Sequence, residues 1–227
     1  MARKDSVPDP PRKVQAPKRR ATPAGPADES RRRKLLLGAA AAALAVTAIV
    51  LGVLFLGGGG KSEAALLAEE GCELATYEGQ EAVHLDDRAE NAQPKWNSSP
   101  PTSGPHSPNP AVYGFYTEEV PLVQTVHNLE HGAVVIHLGP KVPDETVEKI
   151  RAFYTEDPNG ILVALYPPLG DKIALTAWTA REPGGLGRGY LATCTDFSER
   201  AFSRFVENHR YKGPERFPED SLQPGQS

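Results

Sequence analysis

Sulfur is scarce in this chain. Its one methionine is Met1, and its two cysteines, Cys72 and Cys194, belong to no CxxC pattern. Without further methionines, a thioether-rich Cu(I) site of the kind found in copper chaperones is excluded. The chain also lacks a Gly-rich phosphate loop, a GxSxG nucleophile elbow, a nucleic-acid-binding motif and any internal repeat. These absences remove P-loop enzymes, serine hydrolases of the elbow type and nucleic-acid readers from the function classes to consider. Basic residues are sparse in one particular place: Lys61 is the only Lys or Arg among residues 57–86.

What is present is strongly segregated. Residues 1–34 hold 11 Lys/Arg against 4 Asp/Glu, whereas the rest of the chain holds 14 against 25. A basic head therefore precedes an acidic body, and the acidic body argues against nucleic acid as a partner. Between them, Leu35 to Leu56 is a run of 22 residues without one charge. At a rise of ~1.5 Å per residue it spans the ~30 Å core of a bilayer, which predicts a transmembrane helix. A cleaved signal peptide has an apolar region of only ~7–15 residues after a short basic start, so an uncleaved signal anchor is the better reading. The Arg31-Arg32-Arg33-Lys34 cluster abuts the run on its N-terminal side. The positive-inside rule then puts the N-terminus in the cytoplasm and the following domain outside it, in a single-pass protein of the cell membrane. The proline-rich head has too few apolar side chains to offset its ordering entropy and is expected to be disordered. Its charge suits the anionic inner leaflet, where each Lys or Arg contributes ~1 kcal/mol.

The expected organisation is a basic cytoplasmic tail (1–34), a transmembrane helix (35–56), a Gly-rich hinge (57–61), one extracytoplasmic α+β domain (62–212) and a Pro-rich flexible tail (213–227). Within the domain, Glu63 to Glu70 reads as a short helix and Glu81 to Leu85 as a short strand. Asp86 to Pro110 is dense in Pro, Ser and Asn, the composition of an irregular segment, and a loop that long is usually functional or disordered. Leu122, Val126, Leu129 and Ala133 keep helical spacing, with Gly132 placed to end the helix. Ala133 to Leu138 reads as a buried strand and Pro143 to Tyr154 as a helix with Asp144 and Glu145 in its first turn. Strands at Ile161 to Tyr166 and Lys172 to Trp178 follow. A last helix from Asp196 to about His209 buries Phe197, Ala201, Phe202 and Phe205. The sum is a small sheet covered by helices.

Both cysteines fall on the outer side, where an even count suggests a disulfide between the two ends of the domain. Two free thiols, or a soft metal site drawing on one of them, are the alternatives. A Cys72–Cys194 bond predicts Cα atoms ~4.4–6.8 Å apart.

Histidine is where the chemistry concentrates. His106 closes the Pro100 to His106 stretch PPTSGPH, and His127 and His131 flank Glu130 in VHNLEHG (Val126 to Gly132). Residues four apart share a helix face, so His127 and His131 point the same way, with Glu130 close by. Imidazoles in that arrangement suit zinc or Cu(II), with His106 as the natural third ligand, Glu130 as a ligand or holder of a bound water, and His84 as a fourth ligand or a supporting group. The competing reading is that these histidines only hydrogen-bond to carbonyls and hold the loop. His137, inside an apolar strand, and His209, at the end of the last helix, are read as structural. The spacing His127-x-x-Glu130-His131 also matches the inverted zincin motif, whose third ligand is a downstream glutamate, formally Glu207 here. The small domain argues against such a clam-shell peptidase, so the reading leans away from an enzyme, with a metallohydrolase as the alternative.

The combination of PPTSGPH, the aromatic-glycine-aromatic element Tyr113 to Phe115 and VHNLEHG resembles a family of bacterial membrane-anchored proteins described as a domain of unknown function, the DUF3105 type. The upstream His84, the Gly71-Cys72 pair and the Gly213-Pro214-Glu215 element extend that resemblance over nearly the whole ectodomain. It implies an envelope protein with one N-terminal anchor, and its motif histidines, carried onto His84, His106, His127 and His131, are compatible with metal binding. It supplies no activity. A structural envelope module without a metal is the remaining reading.

Overall fold

Ser62 opens the first helix among the described residues because its hydroxyl accepts from the backbone N–H of Ala65, satisfying one of the donors a helix start leaves free. The computed structural model describes residues 61–86 and 94–227. The expected cytoplasmic tail, the 35–56 apolar run and the hinge up to Gly60 lie outside the described residues. No helix among the described residues is long and apolar enough to cross a membrane. Lys61–Ser227 forms one compact unit.

The elements are α1 (Glu63–Glu69), β1 (Cys72–Glu78), β2 (Phe115–Glu119), α2 (Leu122–Glu130), β3 (Val134–Leu138), α3 (Asp144–Glu156), β4 (Ile161–Leu165), β5 (Ile173–Thr179), β6 (Arg188–Cys194) and α4 (Glu199–His209), with single 3-10 turns at Pro167–Leu169 and Glu219–Ser221. The α+β class holds. The sheet is larger than the small one expected: six strands in the order β1-β6-β5-β3-β4-β2. Strands β3, β4 and β2 run parallel, and β5, β6 and β1 pair antiparallel beyond β3. Periodicity did not predict β1, β2 and β6, and for the first two there is a physical explanation. β1 and β2 are the sheet's edges and keep exposed polar positions, so their sequences carry little hydrophobic signal.

Helices and loop cover both faces. Alternate residues of the central strands point opposite ways, and both sets are buried. Val134, Ile136, Ile161, Val163, Ile173 and Leu175 face a core completed by Ile150 of α3 and by Phe202 and Phe205 of α4. Val135, Leu162, Ala164 and Trp178 face Val126 and Leu129 of α2. α3 begins as expected, with Pro143 at its cap and Asp144 and Glu145 in its first turn. α4 begins three residues later than expected. Ser198 caps it through its hydroxyl, while Asp196 bonds to Thr146 and to the Phe197 N–H instead.

Two expectations are corrected. Glu81 to Leu85 is not a strand; only His84 pairs, in a single bridge beside His106. Residues 213–227 are not a loose tail. Their backbone is tied to the domain at Glu215 N–H to the Glu130 carbonyl, Gly160 N–H to Leu222, Tyr113 N–H to Gln226 and Gly225 N–H to Tyr113, and Leu222 is buried beside Tyr113 and Ala133. Proline-rich composition limits regular structure but does not stop a segment from packing when its backbone groups find partners.

Cys72 and Cys194 are bonded, directly opposite each other in the β1–β6 ladder. Their Cα atoms are 4.0 Å apart, closer than the expected window. The neighbouring pair Gly71 and Thr195 is hydrogen-bonded, which makes the cysteines a non-hydrogen-bonded antiparallel pair, the closest approach two strands make. The bond closes a separation of 122 residues, which in the chain-entropy account contributes about 5 kcal/mol.

Candidate metal centre

Helix α2 carries an unusual load for a helix pressed against a sheet: Thr125, His127, Asn128 and Glu130 are buried along with Val123, Val126 and Leu129. Most of that polarity is spent holding the loop before it. The Asn128 side chain accepts from Ala111 N–H at 3.0 Å and donates to the Ala111 carbonyl at 2.8 Å. Ser107 N–H donates to the Val123 carbonyl, and His127 Nδ1–H donates to the Ser107 carbonyl at 2.7 Å. Upstream, Trp96 Nε1–H donates to Pro105, and Ser103 Oγ accepts from Gln80 N–H. Pro100 to Gly104 are thus buried, and the stretch they belong to delivers His106 at 0% exposure.

His106 sits between its loop and the sheet. Its Nδ1–H donates to the Gly104 carbonyl at 2.7 Å, and its ring packs edge-on to Trp178 of β5. The short bridge through Leu85 N–H to His106 O and His106 N–H to Val83 O sets His84 alongside, with ring centroids 4.9 Å apart. His84 also stacks on His127 at 5.1 Å. With Nδ1 of His106 and of His127 both given to carbonyls, each ring turns its Nε2 lone pair into the cluster, as in metal-ligating histidines whose other ring nitrogen is held by a carbonyl.

Glu130 is the meeting point. His106 Nε2 lies 2.9 Å from Glu130 Oε2, and His84 Nε2 lies 3.9 Å from it. Despite that approach the two closer atoms are not aligned for a hydrogen bond, and His106 Nε2 and Glu130 Oε2 are both buried without a partner. On the far side His127 Nε2 is 2.9 Å from His131 Nε2, and His131 Nε2 is 3.5 Å from Glu215 Oε2. Two sets of donor atoms result, each within 4.8 Å: His84, His106, His127 and Glu130; and His127, Glu130, His131 and Glu215.

The expected trio of His106, His127 and His131 is therefore split. His127 and Glu130 belong to both sets, His106 and His84 to the first, and His131 to the second. Glu215 is a donor that no metal-ligand spacing in the sequence marks, although its Gly213-Pro214-Glu215 element is visible there. A close approach places it: a Cβ on Gly213 would lie 2.0 Å from the Glu130 carbonyl oxygen, so only glycine lets the 213–215 backbone pass over the end of α2. Gly132, at φ +92°, turns the chain there, as a helix-ending glycine does. Glu207, the formal third zincin ligand, belongs to neither set and instead lines a hollow between α3 and α4 with Phe153 and Val206. His137 and His209 lie apart, bonded to Thr176 and to Glu63.

Burial favours the uncharged form of His127 and His131 beside the Glu130 carboxylate. Burial, followed by the positive charge His127 would carry, pushes His131 down to about 4. Burial also lowers His127, against the Ser107 carbonyl that would raise it. For Glu130, burial raises the value, but His106, His127 and His84 together outweigh it and hold the carboxyl below its usual range. Neutral imidazole and ionised carboxylate are the ligand forms a divalent ion requires. A cleft of about 460 Å³ opens beside the cluster, lined by Ala82, Glu130, Trp178, Leu186, Glu215 and Arg216.

Fold and site together define a mixed-sheet α+β domain with a buried histidine–glutamate cluster that could hold a metal. The family described as Protein of unknown function (DUF3105) matches residues 88–222, more than half of the chain, and the chain belongs to that family. No curated protein and no solved structure matches it. The match includes every donor of the cluster except His84, which lies just upstream of it.

Proposed function

We propose that this protein is a membrane-anchored bacterial envelope protein whose extracytoplasmic domain binds a divalent metal, zinc or Cu(II), through His84, His106, His127 and Glu130, with His131 adjoining. The single observation that carries this reading is the pair His106 Nε2 and Glu130 Oε2, buried, 2.9 Å apart and without hydrogen-bond partners. Leaving two such groups unsatisfied costs ~1–3 kcal/mol each, and a cation between them offsets that cost. Imidazole and carboxylate donors suit zinc and Cu(II). A bound ion would supply Lewis acidity, while the chain's own residues fix the ring orientations through the Gly104 and Ser107 carbonyls. The anchor is the 35–56 run, with the N-terminus in the cytoplasm.

Elemental analysis of the purified protein tests the reading. Zinc or copper should be present, or be taken up on addition, and His127→Ala should abolish it, whereas His209→Ala should not. A protein that takes up neither metal overturns the proposal and leaves a structural envelope module. A metallohydrolase is the second reading, favoured by the cleft that reaches Glu130. Hydrolysis of ester or peptide substrates that depends on both added metal and Glu130 is its test.

A further inference from the structure

We infer that the cluster is built for two metal ions bridged by the Glu130 carboxylate, with Glu215 as a ligand of the outer one. The inference rests on the metal-binding reading above.

Its starting point is the number of donors. Six groups, His84, His106, His127, Glu130, His131 and Glu215, lie in one continuous series, and they form two four-membered sets. A single tetrahedral ion takes four ligands, so one ion leaves two of these groups without a role. The two sets share only His127 and Glu130. His127 cannot serve both sets, because its Nδ1–H is committed to the Ser107 carbonyl and its remaining lone pair binds one ion. A carboxylate has two oxygens and can bridge. Glu130 is therefore the only shared donor able to join two ions, and its side chain is 9% exposed, with Oε2 buried and unpartnered.

The division of ligands follows from the distances. His84 and His106 converge on Glu130 Oε2 from one side, at 3.9 and 2.9 Å. His131 and Glu215 pair at 3.5 Å on the other. His127 completes one of the two ions, and the other keeps an open position toward the cleft that Glu130 and Glu215 both line. Ions bridged in this way stand ~3.5–4 Å apart. Glu215 is more than an incidental surface acid. Its N–H is tied to the Glu130 carbonyl, and Gly213 admits its backbone over the end of α2, so its carboxylate is delivered to one place.

The test uses the full-length protein in detergent, stripped with a chelator, reloaded with zinc and freed of excess. Wild type should retain two zinc ions per chain, and Glu215→Ala should retain one. Because the Glu215 side chain is 53% exposed and its backbone bond survives the substitution, the variant should fold, which near-ultraviolet circular dichroism checks. In Cu(II)-loaded protein, the electron paramagnetic resonance signal per copper should be weakened by coupling in wild type and restored in Glu215→Ala. One ion per chain in wild type, or two ions unaffected by Glu215→Ala, overturns the two-ion centre while leaving metal binding intact. No ion at all overturns the metal reading itself.

Discussion

The two faces of the sheet bury different chemistry. On one, Ile150, Phe202 and Phe205 meet the apolar side chains of the central strands, and the aromatic rings of Phe153, Phe197 and Phe202 pack edge to face. On the other, α2 and the proline-rich segment bury histidine, glutamate, asparagine, serine and threonine beside a smaller apolar patch. The first face is what stability alone produces, since area removed from water is favourable at roughly 25 cal/mol per Å². The second is not, because burying polar groups costs free energy unless each is paired. Asn128 and His127 Nδ1 are paired within the protein; His106 Nε2 and Glu130 Oε2 are not. One face is thus packed as stability alone requires, and the other buries a cluster of donors that could hold a metal.

If that division is right, damage should separate along it. Phe205→Ala, on the apolar face, should destabilise the domain by about 3–5 kcal/mol in denaturant unfolding, while metal bound per folded molecule stays the same. A parallel loss of metal would show that the faces are not independent. Replacing both Cys72 and Cys194 by Ala should cost about 2–5 kcal/mol, again without changing metal content. On the polar face, Glu130→Gln should weaken zinc binding about 100-fold or more by calorimetric titration, near 3 kcal/mol. The stability of the metal-free domain should shift by no more than about 1 kcal/mol. Unaltered zinc affinity would remove Glu130 from the ligand set.

A smaller effect separates the cluster from the structural histidine on the same face. His137 is fully enclosed, and burial lowers it to about 3. Its folded value lies below the unfolded one near 6.5, so between these values the unfolded chain binds more protons. Stability is therefore unaffected by His137 above pH 6.5 and falls as pH drops through the window toward 3. Between about pH 6.5 and 5 the loss should be about 2 kcal/mol. In His137→Gln that part of the slope should vanish while zinc binding persists. An unchanged slope would mean that His137 does not stay neutral in the folded state.

Local order was legible in the residues, and convergence was not. Helical spacing placed His127, Glu130 and His131 on one face of α2, apolar runs marked β3, β4 and β5, and an even cysteine count on one side of a membrane-length run pointed to the bond that β1 and β6 now carry. Each of these follows from chemistry within a few residues or from a count. Tertiary structure alone decided that His84 joins His106 through a two-residue bridge, that the proline-rich C-terminal segment returns to set Glu215 on His131, and that the expected histidine trio divides into two overlapping sets. Those outcomes depend on backbone groups far apart in sequence finding one another, Leu85 with His106 and Glu215 with Glu130. Such pairings have no periodicity to reveal them, because what selects them is the space and the hydrogen-bond partners left once the sheet and α2 have packed.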